Sequence, residues 1–211
     1  MRGDQSDLGT ALTNSIRDDQ VVDAAATVAD IGIDAAINSG ALDGVPVIGA
    51  LTSIYRAGRQ ISQFFFQKKI HRFLNEMSRL SLQERESFTE KLHASGESSR
   101  FGETILLLLE RADELDKPVL IARIFVAHIS GNFDYSTAVR LSHIVNRSIY
   151  SDLTALGNFN AGLQDDQEIA DALYSAGLLA ISGFDGGSRF DGGGGLMFEL
   201  NRFGKALAPL I

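Results

Sequence analysis

The sequence predicts a mainly α protein, a helical bundle followed by a small α+β, winged-helix-like C-terminal module. Three observations lead there. Apolar residues recur at three- and four-residue steps through residues 20–157, the period of an amphipathic helix. The breaks between these stretches are short and carry glycine, proline or capping residues, which suits a compact bundle. After residue 158 the order becomes helix, glycine, strand, glycine-rich loop and strand. The expected organisation is a polar, flexible segment over 1–19, the bundle over 20–157 and the C-terminal module over 158–211.

The 211 residues are 45% hydrophobic and 22% charged, enough chain to bury a core without cross-links. The absence of cysteine excludes disulfides, thiol catalysis, iron–sulfur clusters and thiolate zinc sites. Met1–Gln20 is polar, with Asp4, Asp7, Asp18 and Asp19 where a secretory signal needs an apolar run. A cytoplasmic protein is expected, with the periphery of the inner membrane as the alternative location.

Net charge is −8, which opposes general affinity for nucleic acid. Its distribution is uneven: −6 over residues 1–50, +4 over 51–100, −1 over 101–150 and −5 over 151–211. An acidic start followed by a basic stretch suggests two elements that neutralise each other. A basic face for anionic lipid or an acidic partner is the competing reading.

Gln20–Ser39 reads as a helix of small residues, with Asp23, Thr27, Asp30, Asp34 and Asn38 on a polar stripe. Ala25, Ala29, Gly32 and Ala36 form a second stripe that would allow close helix approach. Val45-Pro46 restarts the chain, since proline suits a first helical turn. Val47 to about Leu80 then reads as one long helix, apolar on more than one side. Ser81-Leu82-Gln83-Glu84 is a capping-box signature opening a helix to about Ala94. Helices follow over Phe101–Leu115, Val119–Ser130 and Thr137–Leu156. In the tail, Asp165–Ala176 is helical, residues 178–182 and 196–200 read as strands, and Arg202–Leu210 as a terminal helix.

No helix has the roughly 20 apolar residues that cross a bilayer. The segment Phe64, Phe65, Phe66, Lys68, Lys69 and Arg72 is nevertheless aromatic and basic, as interfacial segments are, and these six are the candidate lipid-binding residues. Buried bundle core is the competing explanation for its aromatics.

Residues 183–195 repeat Phe-Asp-Gly-Gly but lack the Gly-Lys-Ser/Thr of a phosphate loop and the ligand spacing of a calcium loop. A wing between two strands explains the segment, with Phe184, Arg189 and Phe190 as candidate partner-binding residues. The helix over 165–176 carries Asp165, Asp166, Glu168 and Asp171 and no lysine or arginine, which opposes DNA reading through it. His71, His93, His128 and His143 belong to no metal motif, although His128 and His143 fall on adjacent helices. No catalytic, cofactor-binding or metal-binding residue is assigned, and no cofactor is expected.

The stretch from Leu42 to Leu80, with Val45-Pro46-Val47-Ile48-Gly49, Lys68-Lys69-Ile70 and Phe73-Leu74, resembles uncharacterised small bacterial helical proteins that have a similar apolar segment and a short winged-helix-like tail. The resemblance extends to Leu141-Ser142-His143-Ile144 and Ser151-Asp152-Leu153. It implies a bacterial cytosolic protein from a defence, stress or mobile-element setting, and it brings no catalytic residues.

The resulting expectation is a non-enzymatic interaction or regulatory protein, acting on a protein partner through the bundle and the acidic tail, with a homo-oligomer left open. The alternative is a conditionally membrane-active effector in which residues 20–75 bind or enter lipid. A third reading is an enzyme whose site assembles from scattered polar residues.

Overall fold

The fold is described from a computed structural model, which covers residues 3–21, 24, 28, 32–54, 61–160, 166–185 and 195–211. Among these residues the fold is mainly helical with one two-stranded antiparallel sheet. The chain divides into two compact units, Met1–Asn132 and Phe133–Ile211. The division falls at the turn around Gly131, whose φ of 86° is open to glycine, and so lies inside the stretch expected as one bundle.

The first unit holds α1 (Gly3–Arg17), α2 (Ile33–Ser39), α3 (Pro46–Ile54), α4 (Ile61–Met77), α5 (Leu82–Ser95), α6 (Ser98–Arg111) and α7 (Lys117–Ile129). Helix α1 packs on α3, α5 and α6, and α4 on α6 and α7. Leu12, Phe73, Ile105, Leu109, Ile121 and Phe125 are buried at the centre.

The expectation of a flexible segment over 1–19 is corrected by α1. Its packing face includes Thr13 and Ser15, both fully buried, so a hydropathy pattern does not find it. Burial is affordable because other helices satisfy both hydroxyls. Thr13 donates to the Ser98 carbonyl at 2.8 Å, and Ser15 accepts from the Val47 N–H at 3.0 Å, meeting an otherwise orphaned donor at the start of α3.

The continuous helix expected over 20–39 is interrupted at Gly32, which has a φ of 81° and begins α2 as its N-cap. Ala36 of the small-residue stripe is buried, whereas Ala25 and Ala29 lie outside the described residues. The span expected as one helix over 47–80 contains α3 and α4, with 55–60 outside the described residues. The capping box at α5 is formed: the Ser81 hydroxyl accepts from the Glu84 N–H, and Glu84 accepts from the Ser81 N–H at 2.9 Å.

The second unit holds α8 (Tyr135–Arg147), α9 (Tyr150–Thr154), α10 (Leu156–Asn160), α11 (Gln167–Ala176), β1 (Leu179–Asp185), β2 (Gly195–Leu200) and α12 (Arg202–Leu207), then a 3₁₀ turn over Ala208–Leu210. The single helix expected over 137–156 is split at Ser148, which leaves the helix with a ψ of 157°. Its hydroxyl donates back to the Ile144 carbonyl at 2.9 Å. Asp166 caps α11 through the Glu168 and Ile169 N–H groups, and Gly177 closes it in the left-handed region.

Strands β1 and β2 pair antiparallel with Leu179 opposite Leu200. Asn201 fastens the base of this ribbon. Its side-chain oxygen accepts from the Phe203 and Gly204 N–H groups, while its amide nitrogen donates to the Gly177 and Leu179 carbonyls at 2.9 and 3.1 Å. One side chain therefore ties the end of α11, the start of β1 and the start of α12 together.

Candidate interaction surface

The ribbon is longer than the core beneath it. At its base Leu179 and Leu200 are buried, and one step on, Phe198 is buried against Tyr174 of α11 with ring centroids 5.4 Å apart. Beyond that the same face is open. Ile181, opposite Phe198, is 48% exposed; Leu196 is 43% exposed and Phe184 71%.

A bulge puts Phe184 on this face. Ile181 pairs with Phe198, but Gly183 pairs with Met197, so Ser182 is the extra residue. In regular pairing Phe184 would lie on the face opposite Ile181, because side chains alternate. The inserted residue reverses that parity and sets Phe184 across from Leu196. Tyr174, Ile181, Phe184 and Leu196 make one apolar strip running toward the ribbon tip.

Acidic residues border the strip. Asp171 lies one turn from Tyr174 on α11 and accepts a hydrogen bond from Gln167 at 3.1 Å. Gln167 in turn reaches the backbone at Gly195, where its oxygen would lie 3.4 Å from a Cβ. The N-terminal end of α11, with exposed Asp166 and Glu168, is thus at the tip end of the ribbon. Of the three candidate partner-binding residues, Phe184 is placed on this surface; Arg189 and Phe190 lie outside the described residues. The sequence reading missed Tyr174, Ile181 and Leu196. The alternation of Leu196, Phe198 and Leu200 carried the signal for one strand, but the bulge is visible only in the pairing.

The candidate lipid-binding residues occupy α4. Phe65 is 44% exposed, and Phe64 and Phe66 are half-buried. Lys68 is ion-paired with Asp34 and stands over the Phe64 and Phe65 rings, 4.6 and 5.5 Å from their centroids. Lys69 donates to the Glu110 carbonyl at 3.2 Å, a cation at the C-terminal end of α6. Burial lowers the Lys69 pKa, opposed by Asp113 and Glu110. Arg72 donates to the Leu115 carbonyl and the Asp116 carboxylate, both at 2.9 Å. With Arg85 paired to Asp19 at 3.1 Å, two acids of the first fifty residues meet two cations of the next fifty.

The histidines do separate things. His93 donates from Nε2 to the Asn14 side-chain oxygen at 3.2 Å, and its Nδ1 meets the Ser98 hydroxyl at 3.0 Å. His128 sits edge-on to Phe88, and His143 is exposed on α8. His71 is buried, its Nε2 has no hydrogen-bond partner, and burial first and Arg72 second lower its pKa. An open cleft of about 550 Å³ between α1 and α5, lined by Asn14, Arg17, Asp18, Asp19, Leu82 and Glu86, offers no nucleophile beside a base. Among the described residues no three His, Asp or Glu side chains are grouped to hold a metal ion, and no helix is long and apolar enough to cross a membrane.

No family model matches the chain, and neither curated proteins nor solved structures give a match.

Proposed function

We propose that this is a non-enzymatic interaction or regulatory protein whose C-terminal, winged-helix-like module docks a protein partner on the tip of its ribbon. The observation that carries this reading is the strip of Tyr174, Ile181, Phe184 and Leu196, left open on a strand pair that outruns its core. A contiguous exposed apolar surface rimmed by polar groups is a feature of association sites. The border of Asp166, Glu168 and Asp171 sets the partner's chemistry: an apolar surface with basic neighbours. The same acids oppose nucleic acid at this end of the module. The resemblance of residues 42–80 to bacterial helical proteins supports a bacterial, cytosolic setting.

The test is a photo-crosslinking phenylalanine analogue placed at position 184, with position 107 as the control. Leu107 is 52% exposed but belongs to α6 in the first unit. The reading expects a discrete protein adduct from position 184 and none from 107. Equal labelling from both positions, or none from either, contradicts it. Flotation with anionic vesicles that depends on Phe65 and Lys69 would replace it with the conditionally membrane-active alternative.

A further inference from the structure

The second unit carries a surface complementary to its own ribbon tip. Residues 133–211 hold five Lys or Arg against nine Asp or Glu. The four of these cations among the described residues, Arg140, Arg147, Arg202 and Lys205, are all on α8 and α12, and all are exposed. A single aromatic ring joins the two helices: the Arg140 guanidinium lies 4.7 Å and the Arg202 guanidinium 4.5 Å from the Phe203 centroid. Stacking on a ring holds a guanidinium while leaving its N–H edge free for a carboxylate. Among the described residues none of these four cations has an ion pair. Lys205 follows Arg202 by one turn, and His143 and Arg147 continue the exposed row from Arg140.

The two surfaces lie at opposite ends of the ribbon. Asn201 fixes Arg202 and Phe203 at the base, where Leu179 meets Leu200. Phe184 and Leu196 are at the far end, beside the acidic start of α11. A seven-residue strand spans about 20 Å at roughly 3.3 Å per residue, well beyond the ~8 Å screening length of physiological salt. Asp166 and Glu168 at the start of α11 are therefore too far from the base cations of the same copy to neutralise them and remain available to another. Tip against tip would bring acid to acid, which disfavours a symmetric contact through the tip.

We infer that the occupant of the ribbon tip is a second copy of this chain, bound head to tail through its Arg140–Phe203–Arg202 base. This rests on the interaction reading above and names its partner. Carboxylates of Glu168 and Asp171 meet the guanidinium edges and Lys205, while Phe184 and Ile181 cover the apolar part of the base. Such a heterologous contact leaves a free tip and a free base on each pair, so assembly continues into short chains or a ring.

Sedimentation velocity on the full chain tests it, with a base variant (Arg140→Gln with Arg202→Gln) and a tip variant (Phe184→Ser with Asp171→Lys). The wild-type chain is expected to form concentration-dependent oligomers that weaken by roughly tenfold between 50 and 500 mM NaCl. Each variant alone is expected to be monomeric, and an equimolar mixture to give a 1:1 dimer that grows no further. Carbodiimide coupling of mixed ¹⁴N and ¹⁵N chains is expected to yield isotopically mixed Lys205–Glu168 crosslinks, a readout needing no variant. Oligomers abolished in the tip variant but kept in the base variant would mean a symmetric contact and overturn the inference. A wild-type chain that is monomeric at every concentration overturns it too. In that case a protein adduct from position 184 would still uphold the interaction reading, and its absence would remove both.

Discussion

Gly9 on α1 and Gly102 on α6 cross with their backbones in contact. A Cβ on Gly102 would lie 1.9 Å from the Gly9 carbonyl oxygen, and one on Gly9 would lie 2.3 Å from the Ser99 carbonyl oxygen. This approach brings Thr13 within reach of the Ser98 carbonyl and lets α1 enter the core beside α6.

Gly102→Ala therefore forces the two helices apart. The expected cost is about 3 kcal/mol, the upper part of the range for overpacking a core. It is read as a lower urea midpoint in far-UV circular dichroism. Gly96→Ala, at a left-handed position with open space around it, is a control whose cost is local backbone strain. A Gly102→Ala midpoint equal to the wild-type value would contradict the close crossing.

Asn201→Ala removes the N-cap of α12 and the two bonds to the Gly177 and Leu179 carbonyls. The expected loss is about 2 kcal/mol for the second unit, combining a cap with two half-buried carbonyls left unmet. Amide exchange should accelerate in β1 and β2 while α6 and α7 keep their protection. Uniform acceleration across both units would show that Asn201 does not act locally.

Stability also has an expected pH dependence. Burial and Arg72 depress the His71 pKa, so the fold favours the neutral ring. Between the folded-state value and about 6.5, the ordinary histidine value, the unfolded chain binds more protons. The His71 contribution is complete above about pH 6.5 and is lost as pH falls from there through the folded-state value. Thermal melts should flatten between pH 7 and 5 in His71→Leu relative to wild type; parallel curves would contradict the assignment. Hydrogen bonds from Ser81 lower the Glu84 pKa, and the hydrogen bond from Lys117 lowers that of Asp113, so their contributions are lost at more acidic pH, below about 4.5.

What could be read from the sequence was what adjacent residues decide. The capping box at Ser81 and Glu84 uses atoms three residues apart, and the Ala176-Gly177 end of α11 needs only a left-handed glycine. What could not be read depends on distant partners. Thr13 is buried because Ser98, 85 residues away, accepts its hydroxyl. The cations at 68, 69 and 72 look like a free basic face until Asp34, the Glu110 carbonyl and Asp116 come to them. The facing of Phe184 depends on an unpaired Ser182, a property of the register between two strands. A recognisable aromatic at 184 was therefore legible as a candidate, while the strip that gives it a role was not.

The central claim is that the ribbon tip is where one copy of this chain meets the next. Hydrogen-exchange mass spectrometry on the unmodified chain, at about 1 and 100 μM in low salt, tests it most directly. Slower exchange at the higher concentration is expected in residues 179–185 and 195–200, with α5 unchanged. Identical exchange in those strands at both concentrations, or protection confined to residues 61–77, would contradict it.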